Sequence, residues 1–324
     1  MKAAVIDGYG GIERLQVREV PEPGEPGPGQ VRLRVRAASV NPIDWKMRRG
    51  SLRLVMPAKF PLILGFDAAG EVEAVGPEVT RFQPGDAVYG GIDLRPHRGA
   101  YAERAIAREG ALAAMPRSLS FVEAAALPVA GLTALQGLRD RGELAAGERA
   151  LINGAAGGVG HLAVQIAATV GARVTGVASA GNLDFLHSLG AAEAIDYAEE
   201  DFAGRDDAWD VVFDAVGTRS YQECEPSLAH QGGIYVTTAV GPRPFLNAAF
   251  TALAGLFGQK KRARWITVRQ AAEDLALLGR MVDQGRLRPV IQEVLPLARV
   301  GDAHALSETG RVRGKLVIEL GDPA

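Results

Sequence analysis

Apolar and β-branched residues cluster or alternate over residues 2–6, 30–38 and 68–75, each run bounded by Gly or Pro, so the first third of the chain predicts β-strands. The segment PEPGEPGPGQ at 21–30 reads as a loop between two of them, because strand-like sequence resumes at once. From about residue 120 the texture changes. Short apolar runs at 150–152, 173–178, 210–213 and 234–237 alternate with helix-like stretches, the pattern of βαβ units on a parallel sheet. A strand is expected at 265–268, a helix over 271–284 stopped by Gly285, and strands again at 290–294 and 315–320. On this reading the last strands rejoin the N-terminal lobe. An α/β protein results, with a β-rich domain (1–120 and 271–324), a doubly wound parallel-sheet domain (121–270) and a cleft between the two lobes.

The length of 324 residues fits two domains better than one core. Hydrophobic residues at 47% and charged residues at 23% are ordinary for a globular chain and exclude a disordered or fibrous one. Lys and Arg number 36 against 38 Asp and Glu, so no basic excess points to nucleic acid. No apolar run approaches about 18 residues and no basic segment feeds an apolar one at the start, so a cytoplasmic protein without stable membrane insertion is expected. The apolar stretch 245–257, followed by Lys260, Lys261, Arg262 and Arg264, is too short to span a bilayer. It is expected as a helix or lid over the substrate cleft or near a subunit contact, with an interfacial membrane helix as the rival.

Metal chemistry has little to stand on. The single cysteine, Cys224, can form neither an internal disulfide nor a structural zinc site. His97, His161, His187, His230 and His304 show no H-x-x-x-H pairing and read as surface or packing residues. No G-x-S-x-G elbow supports a triad hydrolase.

The strongest local signal is a glycine loop. The strand at 150–153 runs into Gly154-Ala155-Ala156-Gly157-Gly158-Val159-Gly160, and Leu162, Val164, Ile166, Ala167 and Val170 then mark a helical face. Strand, glycine turn and helix in this order let backbone amides at a helix N-terminus approach a pyrophosphate. Gly157 would permit the close approach and Gly160 the packing of helix on strand, while Ala155 takes the place of the first glycine of G-x-G-x-x-G.

Further blocks accompany the loop: Asn41-Pro42-Ile43-Asp44, Gly65-Phe66-Asp67-Ala68-Ala69-Gly70-Glu71-Val72, the run from Arg81 to Gly90, Ile195-Asp196-Tyr197 and Arg313-Gly314-Lys315. In this order they resemble the signature blocks of quinone oxidoreductases and related enone reductases, the zinc-free, zeta-crystallin-like branch of the medium-chain dehydrogenase/reductase superfamily. The resemblance spans nearly the whole chain. It implies a GroES-like lobe, a Rossmann lobe, NADPH as cofactor, and hydride transfer to a small-molecule quinone, enal or enone. It also implies a homodimer paired through the last strand of the nucleotide domain, near 265–268. Zinc alcohol dehydrogenases of the superfamily carry a Cys-His pair and a Gly-His-Glu block. Asn41, Pro42 and Phe66 stand at those positions here, so no metal is expected.

The resemblance also assigns residues. Asn41 would orient the nicotinamide, or serve as a turn residue before Pro42. Lys46, where quinone reductases often have Tyr, would stabilise an enolate or lie solvated beside Arg48 and Arg49. Trp45 and Tyr89 are candidate pocket walls, with Tyr89 also a donor, or ordinary packing residues. Asp67 would orient cleft groups or act as a structural carboxylate. Cofactor contacts fall to Asn41, Thr133, Ala155, Ala156, Gly157, Gly158, Val159, Gly160, Ser179, Asn182, Tyr197, Val216, Gly217, Ala239 and Lys315.

NADPH is favoured over NADH because Val177-Ala178-Ser179-Ala180-Gly181-Asn182 carries no acid where NAD enzymes place one for the ribose hydroxyls. NADPH-dependent relatives often have Arg or Lys where Gly181 stands, so the cation for the 2′-phosphate is sought in Arg311, Arg313 or Lys315. Two other readings stay open. One is a zinc-free alcohol dehydrogenase, the other a dinucleotide-binding crystallin-like or RNA-associating protein with little catalysis.

Overall fold

Strand-forming sequence in the first third pairs into two sheets. In the computed structural model, which describes residues 1–92, 99–239, 241–256 and 258–321, the strands are β1 (Lys2–Ile6), β2 (Gln16–Glu19), β3 (Gln30–Val40), β4 (Leu62–Ile63), β5 (Asp67–Val75), β6 (Ala87–Gly91), β7 (Arg104–Arg108) and β8 (Leu112–Ala114). Helix α1 (Pro42–Arg48) follows β3, and α2 (Phe121–Ala125) and α3 (Pro128–Gln136) follow β8. His97 and Phe257 lie outside the described residues.

The middle of the chain alternates strand and helix: β9 (Arg149–Asn153), α4 (Gly160–Val170), β10 (Arg173–Ala178), α5 (Leu183–Ser188), β11 (Glu193–Asp196), β12 (Val211–Asp214), α6 (Tyr221–Cys224), β13 (Ile234–Thr237), α7 (Pro242–Gly255) and β14 (Arg262–Trp265). The remainder forms α8 (Ala272–Asp283), β15 (Ile291–Pro296), α9 (Val300–Glu308) and β16 (Lys315–Glu319). Packing divides the chain into two units, Met1–Ala130 with Gln270–Ala324, and Gly131–Arg269.

In the first unit β15, β16, β3, β5, β6 and β8 lie side by side, β7 also pairs with β3, and β2-β1-β4 form a smaller sheet. Every second residue of β3 from Val31 to Val35 is buried, with Leu33 between them, so one face of the strand supplies the core with Ile6, Ile63, Leu64 and Leu112. Two pairings matter for chemistry. Antiparallel β16 sets Leu316 opposite Val40, and antiparallel β5 sets Asp67 opposite Ser39, so the end of β3 is flanked by Lys315 and Asp67.

The second unit is a parallel sheet in the order β11-β10-β9-β12-β13-β14. Counted from β9 this is 3-2-1-4-5-6, the doubly wound order whose direction reverses between the first and fourth strands. All described residues of β12 and β13 are buried, as expected of strands covered on both faces. Leu151, Val177, Val212, Tyr235 and Ala263 contribute one core side chain each from five neighbouring strands. The last strand corrects the expectation at 265–268: β14 ends at Trp265, and residues 266–269 are not in a strand.

Candidate functional site

In doubly wound sheets ligands bind beyond the carboxyl ends of the strands at the point of reversal. Here that point lies between β9 and β12, and the glycine loop leaves β9 there. Gly154 has φ +75°, and an added Cβ would overlap Val216 after β12, so the turn demands glycine at this position. Gly160 opens α4, and a Cβ there would overlap the Gly154 carbonyl oxygen. Gly157 meets only the Gly154 oxygen at 3.3 Å, which leaves its outer side open.

Within the loop, Ala155 donates its N–H to Val177 O and Gly157 to Gly154 O, whereas the amides of Ala156, Gly158 and Val159 donate to no acceptor among the described residues. Three uncommitted amides ahead of an 11-residue helix form a cradle suited to phosphate oxygens. Buried His161 braces it through a 2.9 Å contact between Nδ1 and Gly157 O. That role is invisible to a reading of histidines by spacing alone.

The other strand ends converge on the same edge of the sheet. Asp214 ends β12 and accepts from Asn153 Nδ2 at 3.0 Å and Tyr235 Oη at 3.0 Å. It also accepts the N–H groups of Val216 and Gly217 at 3.1 and 2.8 Å, which shapes their turn. Gly217 in turn packs on Ala239, beyond β13. Ser179 follows β10, accepts Asn182 Nδ2 at 3.0 Å on its hydroxyl, and accepts the Asn182 N–H on its carbonyl. Tyr197 follows β11, largely exposed, with its N–H on Ala178 O. The fold therefore gathers residues 155–160, Ser179, Asn182, Tyr197, Val216, Gly217 and Ala239 at the carboxyl ends of one sheet. Thr133 lies buried on α3.

In the first unit the end of β3 meets three buried ionisable groups. Lys315 Nζ donates to Asn41 Oδ1 at 2.5 Å and Val40 O at 3.1 Å, and Asn41 Nδ2 donates to Asp67 Oδ2 at 2.8 Å. A lysine only donates and a carboxylate only accepts, so the Asn41 amide has one orientation. One N–H of the amide is left for a ligand, while Oδ1 also faces the Asp44 N–H in a capping box at the start of α1. Asp67 also accepts Ser39 Oγ at 2.8 Å and Val129 N–H at 2.9 Å, and Asp44, three residues into the turn of α1, accepts Asn41 N–H at 2.8 Å and Gly65 N–H at 3.2 Å.

Burial dominates the electrostatics of this cluster. It pushes the Asp44 carboxyl up to about 7 against the pull of the Asn41 N–H, and it raises Asp67 against the pull of Lys315. Burial lowers the Lys315 ammonium, which the two carboxylates oppose. Asp67 accepts the Val129 N–H as a structural carboxylate would, and it also holds the Asn41 amide. Asp44 and its link to Lys315 through Asn41 were not anticipated.

A family model described as an alcohol dehydrogenase GroES-like domain matches residues 27–117, and one described as a zinc-binding dehydrogenase matches residues 189–318. The chain is 36% identical over 332 aligned residues to the chloroplast envelope quinone oxidoreductase homolog of Arabidopsis thaliana, covering 98% of each. It is 34% identical to an NADPH-dependent alkenal/one oxidoreductase of the same plant, covering 98% of this chain and 79% of the other. The solved quinone oxidoreductase of Coxiella burnetii superposes with a TM-score of 0.86 at 35% identity, covering 99% of each chain. The chain belongs to the quinone oxidoreductase and enone reductase branch of the medium-chain dehydrogenase/reductase superfamily.

As a member of this branch it is an NAD(P)H-dependent oxidoreductase with a GroES-like and a Rossmann domain. Among the described residues no three His, Cys, Asp or Glu side chains gather as a metal would need. No helix among them is long and apolar enough to cross a membrane.

Two residue assignments need correction. Tyr89 is fully buried on β6 and donates its hydroxyl to Leu275 O at 2.6 Å, so it has no surface for a substrate; it is a packing residue. Burial also raises its phenol far from any physiological titration. Lys315 is equally buried and committed to Val40 and Asn41, which removes it as a cation for a 2′-phosphate. Its ammonium holds the Asn41 amide instead. Lys46 is half-buried with its ammonium 5.5 Å from the centre of the Trp45 ring, and Trp45 donates Nε1–H to Ser307 Oγ at 3.2 Å. Arg311 and Arg313 are exposed.

Proposed function

We propose that this enzyme uses NADPH to reduce a quinone or an α,β-unsaturated carbonyl, an enal or enone, without a metal ion. The observation that carries the reading is the amide of Asn41, held at one end by Lys315 and at the other by Asp67. It stands where zinc-dependent members place a ligand. An amide fixed in this way presents its remaining N–H in a known direction, which suits the carbonyl of a nicotinamide carboxamide and does not suit Lewis-acid chemistry.

When bound, the dihydronicotinamide supplies a hydride. The chain's own residues bind and orient. The amides of Ala156, Gly158 and Val159 and the start of α4 would hold the pyrophosphate. Val216, Gly217 and Ala239 would line its path, Ser179, Asn182 and Tyr197 would meet the adenosine ribose and its 2′-phosphate, and Asn41 and Thr133 would set the nicotinamide. Lys46 would stabilise negative charge on the substrate oxygen. The preference for NADPH rests on Ser179 as a donor in a turn without an acid.

A cytoplasmic homodimer paired along the free edge of β14 is the assembly we propose. Beside that edge α7 exposes Phe245, Leu246, Phe250 and Leu253, and Phe245 packs on Trp265 with ring centres 5.2 Å apart. A free strand edge beside an exposed apolar helix face is ordinarily covered. A sedimentation mass of 34.1 kDa at micromolar concentration would refute the dimer.

The deciding experiment measures consumption of NADPH and NADH with 9,10-phenanthrenequinone, a simple enal and a saturated aldehyde, before and after chelation. Reduction of the first two, with NADPH preferred and no loss to the chelator, is expected. Activity on the saturated aldehyde alone, or loss of activity with one bound zinc, would overturn the reading.

A further inference from the structure

Beneath Asn41 the first unit holds a second buried polar group that this chemistry does not use. Arg48, at the end of α1, is fully buried, and its Nη2 pairs with Glu308 of α9 while Nε and Nη1 meet no acceptor. His304, also fully buried on α9, lies 3.4 Å through Nε2 from Tyr101 Oη and has no partner on Nδ1. Tyr101 is fully buried, and its hydroxyl lies near enough to Asp44 to pull that carboxyl down against burial. Burial, reinforced by Arg48, holds the His304 imidazole down to about 3, so the ring is neutral and offers one donor and one acceptor.

Two unmet donors and one unmet acceptor form an incomplete set in a place where unpaired buried groups are costly. We propose that one buried water molecule accepts from Arg48 and donates to His304 Nδ1, completing a donor chain from Arg48 through water, His304 and Tyr101 to Asp44 that holds Asn41 in position. Three polar partners are enough to retain an internal water. The direction of the chain then follows: His304 carries its proton on Nε2 and donates to Tyr101 Oη, and Tyr101 donates to the carboxyl that receives the Asn41 N–H. Arg48, His304 and Tyr101 are positioning residues, none of them touching a ligand. Their effect at Asn41 rests on the function proposed above, whereas the water site does not.

A high-resolution crystal structure of the full chain should show a solvent peak within about 2.7–3.2 Å of Arg48 Nε or Nη1 and of His304 Nδ1. Nitrogen-15 spectra of the imidazole should give a neutral ring protonated on Nε2 throughout the range from about pH 5 to about pH 9. A dry gap, or a proton on Nδ1, overturns the water. Tyr101→Phe, which keeps the ring, should lower kcat about tenfold with the KM for NADPH within about twofold, as expected when a reacting group is misplaced. His304→Leu should do the same, and His304→Asn, with an acceptor again facing the water, should recover most of the loss. Unchanged kcat in Tyr101→Phe and His304→Leu overturns the positioning role. Should the parent protein reduce no quinone or enal, the proposed function fails, while the density and the spectra still decide the water site.

Discussion

Substituting Gly181 with arginine tests where the 2′-phosphate lies. Gly181 sits in the turn Ala180–Asn182 that follows Ser179, has ordinary negative-φ backbone, and has no atom within 4 Å of an added Cβ, so a side chain enters without strain. A guanidinium about 4 Å from a unit negative charge gains roughly 4 kcal/mol at an effective dielectric of 20. The turn is at the surface, where ordering the arginine costs up to about 2 kcal/mol and salt at about 0.15 M screens beyond about 8 Å. A net gain of about 1–2 kcal/mol remains, or about 5–30-fold in kcat/KM for NADPH, with NADH changed less than about twofold. Steady-state kinetics with both cofactors, repeated at about tenfold higher salt, measures this, and the gain should shrink as salt rises. An equal change for the two cofactors, or none for either, would refute the placement of the phosphate beside Ser179.

Other residues give separable outcomes. Tyr89→Phe removes only the hydroxyl bonded to Leu275, so it should cost about 1 kcal/mol in urea unfolding and leave kcat within about twofold; a large kcat loss at parental stability would restore a catalytic role. Lys315→Met leaves Asp67 and Asp44 buried without their cation, so a destabilisation of about 3–5 kcal/mol is expected, and parental stability would sink the account of this cluster. Asp44 binds its proton more tightly folded, at about 7, than at its ordinary 3.8, so the stability that this proton supplies is full below about pH 3.8 and is lost as pH rises through about 7. Urea unfolding of the parent should therefore lose ground to Asp44→Asn between those limits, by at most about 1.4 kcal/mol per pH unit, and a constant difference would contradict the linkage.

The strands at 173–178 and 234–237 were legible to the residue because buried parallel strands need apolar, β-branched runs that few other elements favour. Residues 265–268 failed for the converse reason. An edge strand has only one neighbour and tolerates the charges of Arg262 and Arg264, so β14 reads as polar while the apolar residues just after it imitate a strand. The glycine fingerprint gave the loop its place and its ligand class, but spacing alone does not say which glycine carries the positive φ. That is Gly154, outside the three positions of the fingerprint.

The Asn41 cluster was illegible on different grounds. Asn41 and Lys315 are 274 residues apart, and nothing local in Arg313-Gly314-Lys315 distinguishes a buried clamp from a surface cation free to reach a phosphate. Their meeting is a consequence of register. Once β16 pairs Leu316 with Val40 and β5 pairs Asp67 with Ser39, the next residue along β3 has a lysine on one side and a carboxylate on the other. A slip of one residue in either ladder would turn one of these groups to the opposite face of the sheet and leave a charge buried without its partner. The charged pair therefore penalises misregister as well as orienting Asn41. The same contacts that fix the amide also fix the pairing of β3 with both neighbours, and a variant that loses the clamp should lose strand register and cofactor orientation together.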